Sequence, residues 1–161
     1  MPLRWKLFRL ICILQMIAAG FKALEALLTF FQHISFGSIV AVLLFSAIFM
    51  LTILAINLLN NNYPDNPVEG RQKKIFNRLF LLNFIFLTFL FGFIIIEVRE
   101  IKQFALVTGR SFTDFSIGIF VLLILYTTML ILQLVILFGL YKLRLELYEN
   151  FMNRKFEFER N

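Results

Sequence analysis

Lys22 and Glu25 stand three residues apart in the stretch "AAGFKALEALL", inside a long apolar run. Residues three apart share one face of a helix. An ammonium and a carboxylate so placed can form a packed ion pair. In a membrane they can also serve a transport, proton-relay or ligand site, because ionisable groups within spans are costly and tend to be functional. Counted at 1.5 Å per residue, Lys22 is expected roughly 12–14 Å, and Glu25 about 8–9 Å, below one membrane surface. The same face carries Gln15, Ala18, Ala19 and Thr29, a small and polar stripe expected to face protein or a water-filled cavity rather than lipid. His33, Glu97 and Glu100 are candidate partners in an outer vestibule.

A second constellation is formed by amides. Gln15, Asn57, Asn83 and Gln133 supply one to each apolar segment. Amides in hydrocarbon seek partners on neighbouring helices, at about 0.6–2 kcal/mol each. These four are expected to act as interhelical contacts that fix register. Tyr126 is the nearest aromatic group that could join them, and Ser46, Gly92, Thr127 and Thr128 are expected to mark close helix contacts.

The elements that must hold these groups follow from composition. The 161 residues are 60% hydrophobic with mean hydropathy +0.84, and 22 are Phe. Soluble domains are roughly 45–50% apolar and about 25% charged; here only 16% are charged. A spanning helix needs about 20 mostly apolar residues, and the segments 10–31, 37–59, 76–98 and 117–141 satisfy this. The expected fold is all-α, an integral membrane bundle of four transmembrane helices over residues 1–141. The basic start resembles a signal peptide, but its apolar run continues to Phe31, so it is expected to remain as the first span.

Charge placement predicts the topology. Arg4, Lys6 and Arg9, then Arg71, Lys73, Lys74 and Arg78, then Lys142, Arg144, Arg154, Lys155 and Arg160 fall on one side. Only Arg99, Lys102 and Arg110 fall on the other. The positive-inside rule makes the first side cytoplasmic, with both termini there. This explains the net charge of +6 without nucleic acid as a partner.

Residues 142–161 are expected to form a cytoplasmic amphipathic helical extension. Leu143, Leu147 and Phe151 recur every four residues, and with Phe156 and Phe158 they make a candidate docking face. The terminal "KFEFER" alternates with period two, which suits a short extended segment.

The exclusions are broad. Cys12 is the one cysteine and His33 the one histidine. An internal disulfide, a CxxC pair and bis-histidine haem ligation are therefore ruled out. No catalytic motif is present, and neither a cofactor nor a metal is expected. The membrane-lipid environment aside, the expected partner is another membrane protein, or the chain itself as a homo-oligomer. The expected role is a non-catalytic accessory or structural subunit of a larger membrane complex. The alternative is a homo-oligomeric small channel or transporter using Lys22 and Glu25. Compact loops suggest a bacterial cytoplasmic (inner) membrane.

Overall fold

Each of the four apolar segments lies in one uninterrupted helix: α1 (Leu3–Gln32), α2 (Phe36–Asn62), α3 (Gly70–Thr108) and α4 (Ile117–Arg160). The computed structural model describes residues 1–109 and 117–160; the side chains of Phe93, Glu97 and residues 157–160 lie outside the described set. All four helices are long and apolar enough to cross a membrane. Hydrocarbon offers no partner to backbone N–H and C=O groups, and a helix satisfies them internally.

Local signals set the helix ends. Ser35 caps α2: its Oγ accepts from the Ser38 N–H at 3.1 Å, and the Ser38 Oγ accepts from the Ser35 N–H at 3.0 Å. The turn before it is only His33–Ser35, because the His33 N–H is satisfied by the Thr29 carbonyl at 2.8 Å. Helix α3 stops where Gly109 takes a left-handed φ of 63°, a conformation that glycine adopts without steric cost.

The buried residues follow a seven-residue repeat. On α1 they are Trp5, Phe8, Cys12, Gln15, Ala19, Lys22 and Ala26, spaced alternately three and four apart. On α4 the same spacing runs through Met129, Gln133, Ile136, Leu140, Leu143 and Leu147. This pattern keeps one straight seam facing its neighbours in left-handed helix packing. Successive helices alternate in direction. The first half of α1 packs with the second half of α2, the start of α3 and the second half of α4 in one core cluster. A second cluster joins Ala19 and Ala26 to Leu44, Phe45, Ile48, Leu90 and Met129.

Two expected loop or strand regions are helical. The stretch after Val98 continues α3 as far as Thr108, since Glu, Arg, Lys and Gln are good helix formers. The "KFEFER" terminus is helical to Arg160 rather than extended. A six-residue alternation has no strand to pair with among the described residues, whereas the helix already running through it satisfies its backbone groups. Helix α4 therefore passes through residues 141 and 142 without a break, and Leu140, Leu143 and Leu147 belong to one core.

Candidate functional site

Three of the four amides meet. Gln15, Asn83 and Gln133 are each fully buried. The Gln15 Nε2 donates to the Gln133 Oε1 at 3.1 Å and to the Met129 carbonyl at 3.0 Å. The Gln133 Nε2 donates to the Asn83 Oδ1 at 2.9 Å. The Asn83 Nδ2 then donates to the carbonyls of Ala47 and Leu79, both at 3.0 Å. One chain of hydrogen bonds thus crosses from α1 through α4 and α3 to α2. The Gln15 Oε1 is buried with no donor among the described residues. Asn57 is outside this network: it is exposed on α2, because the α2 seam passes through Ala55, Leu58 and Leu59.

Lys22 and Glu25 form an ion pair, with Nζ to Oε2 at 2.6 Å. The two ends differ sharply in environment. Lys22 is 7% exposed, whereas the Glu25 side chain is 64% exposed. The ammonium also lies 5.1 Å from the centroid of the Tyr126 ring, which itself stacks on Phe45 at 6.3 Å. Lys22 occupies a seam position, and Glu25 lies on the flank beside it. Thr29, expected on the inward face, is likewise exposed, its hydroxyl donating to the Glu25 carbonyl at 2.9 Å.

This asymmetry gives a testable result. Removing the exposed partner leaves a buried cation beside Tyr126 without its carboxylate. Glu25→Gln is therefore expected to destabilise by about 1–2 kcal/mol, below the 3–5 typical of fully buried pairs. Lys22→Met keeps the apolar stem and leaves an exposed carboxylate, and is expected to cost less. Reversible unfolding in mixed micelles checks the order; equal costs would contradict it.

The other candidate partners do not join this pair. His33 and Glu100 are exposed, and no hydrogen bond or ion pair among the described residues links either side chain to Glu25. The Glu97 side chain lies outside the described residues. Among the described residues, no three His, Cys, Asp or Glu side chains gather as a metal site would require.

The residues proposed for tail docking divide. Leu143 and Leu147 are buried in the chain's own core with Trp5 and Phe76, so they are not available to another chain. Phe151 and Phe156 are exposed, and the Phe158 side chain lies outside the described residues. The extension is tied down instead. Arg4 pairs with Glu146 at 2.8 Å, and the Trp5 Nε1 donates to the same carboxylate at 3.2 Å. Arg144 donates to the Asn77 Oδ1 at 3.0 Å, Asn150 to the Pro64 carbonyl at 2.7 Å, and Arg154 pairs with Asp65. Burial, reinforced by the Glu146 charge, pushes the neighbouring Tyr63 phenol up from its ordinary value.

Close helix approach occurs at residues that composition did not single out. A Cβ on Gly139 would lie 2.3 Å from the Phe8 Cε2, and one on Gly20 would lie 3.3 Å from Phe49. Gly92 has nothing within 4 Å of such a Cβ, and Thr127 and Thr128 are exposed.

No family model matches the chain, and no curated protein or solved structure matches it either.

Proposed function

We propose that the protein is a non-catalytic accessory or structural subunit of a larger membrane assembly. One observation carries this reading. The interior amides bond one another and neighbouring backbone carbonyls, the Lys22 ammonium pairs with Glu25 on its own helix, and the outer faces are overwhelmingly apolar. Between 17% and 33% of the most apolar window of each helix is buried. The remainder must meet lipid or another protein, and helices associate in membranes through such faces. Phe151 and Phe156, exposed on the extension, offer a further contact.

The basic residues near Arg4, Lys73 and Arg144 support cytoplasmic termini by the positive-inside rule, and the short connections support a bacterial inner membrane. Extraction from its own cells in mild detergent, followed by native mass spectrometry, tests the role. Co-purification with a defined larger assembly is expected. A lone monomer would overturn the reading.

The exposed Glu25 carboxylate favours one alternative, a homo-oligomeric channel or transporter in which Lys22 and Glu25 line a path between copies. A homo-oligomer with no other chain, together with flux lost in a Lys22→Met, Glu25→Gln variant in vesicles, would establish it instead.

A further inference from the structure

A groove of about 770 Å³ runs between the start of α1 and the second half of α4. Its two halves differ in chemistry. Leu7, Ile11, Val135 and Phe138 line one half, and Leu7 and Phe138 are 53% and 63% exposed. That half opens sideways onto the apolar flank of the spans. The other half lies beyond the apolar segment of α4, where the lining becomes ionic.

The charges there do not all cancel. Arg4 is paired with Glu146. Lys142 and Glu149 both line the groove and are exposed, and neither has an ion-pair partner among the described residues. Among the described residues, Lys142 has the Phe138 ring beside it, 5.7 Å from its Nζ. The two residues are seven apart, two turns on one helix face, or about 10 Å along the axis. The groove thus offers one cation and one anion side by side, above an apolar channel.

We propose that this groove binds one phospholipid molecule with a zwitterionic phosphoethanolamine headgroup. The phosphate takes Lys142, the primary ammonium takes Glu149, and an acyl chain lies along Leu7, Ile11, Val135 and Phe138. The two-carbon link between phosphate and ammonium, with one hydrogen bond at each end, spans roughly the 10 Å between two charges two turns apart. A primary ammonium donates charge-assisted hydrogen bonds to a carboxylate, and a trimethylammonium has no proton to donate. The ring best able to take a quaternary ammonium, Trp5, is already covered by Arg4 at 5.6 Å. A purely anionic headgroup would satisfy Lys142 but set its charge against Glu149. The proposal is independent of whether the chain serves as an accessory subunit or as a pore.

The test offers the delipidated protein equal amounts of phosphatidylethanolamine, phosphatidylcholine and phosphatidylglycerol with identical acyl chains, read by native mass spectrometry. One phosphatidylethanolamine per chain is expected, enriched about tenfold over each competitor, the scale of one charge-assisted hydrogen bond. Glu149→Gln should bring the ratio near one, whereas Lys142→Gln should lower all three adducts, since each lipid carries the phosphate. Leu7→Trp should lower all three adducts, and Glu69→Gln, an exposed carboxylate outside the groove, should change nothing. Equal binding of the three lipids, enrichment of phosphatidylglycerol, or a preference that survives Glu149→Gln would overturn the proposal. The wild-type competition alone decides the first two outcomes.

Discussion

Gly139→Leu is expected to destabilise the protein by about 3 kcal/mol, the upper range for overpacking a filled core. Even the Cβ would stand 2.3 Å from the Phe8 Cε2 and 2.5 Å from its Cδ2. Phe8 is 5% exposed and meets Trp5 edge-on at 5.6 Å, so the ring can yield only toward the α1–α4 groove that it and Gly139 line. A compensating change separates this clash from a general intolerance of leucine. Phe8→Ala alone should cost about 3–5 kcal/mol through its cavity. Combined with Gly139→Leu it should cost at least about 2 kcal/mol less than the sum of the two, because one side chain fills the space the other leaves. Unfolding in mixed micelles provides the measurement, and Trp5, the sole tryptophan, is a fluorescent reporter touching the site. Additive effects would show that Phe8 and Gly139 are not in contact.

Gln133→Leu is expected to cost about 2–4 kcal/mol, the sum of two lost interhelical hydrogen bonds and one orphaned acceptor. Gln133 joins Gln15 to Asn83. Without it the Asn83 Oδ1 loses its donor in a site closed to water, whereas the Gln15 Nε2 keeps the Met129 carbonyl. The triple variant Gln15→Leu, Asn83→Leu, Gln133→Leu should be less destabilised than the single one, since removing every partner leaves no orphan. Such an outcome would assign the amides to register and uniqueness of packing more than to net stability. A triple variant weaker than the single would assign them to stability itself.

The four apolar segments were legible in the sequence because about 20 greasy residues in a row have one economical solution in a bilayer. The direction of each helix face was harder to read. On α2 and α4 every face is apolar, so hydrophobic periodicity carries no information about which side meets protein. The polar and small residues supplied what signal there was. Gln15, Ala19 and Lys22 marked the α1 seam, and Gln133 and Asn83 marked α4 and α3. Asn57 broke this rule: it is exposed on α2, off the seam through Ala55, Leu58 and Leu59. Glu25 and Thr29 broke it by one position, since spacing of three or four residues blurs a seam with its flank. Gly139 carried a signal, a glycine in the interior of an apolar helix, that only the opposing Phe8 ring makes meaningful. The extension was read as amphipathic from Leu143 and Leu147, but a repeat alone does not say whether the partner is another chain or α1 and α3 of the same one.

Helix α4 is 44 residues long, about 66 Å at the helical rise and roughly twice the thickness of a hydrocarbon core. It has no proline after residue 67 to serve as a joint. With its apolar part across a membrane, the portion beyond Tyr141 is expected to act as the outer arm of a lever. A change in bilayer thickness that tilts the inner arm by ten degrees swings the tip of the outer arm by about 5 Å. Because Arg4, Asn77, Pro64 and Asp65 are fastened to that arm, the displacement is shared by α1, α3 and the α2–α3 connection. A change in membrane thickness is therefore expected to move this whole face as one unit.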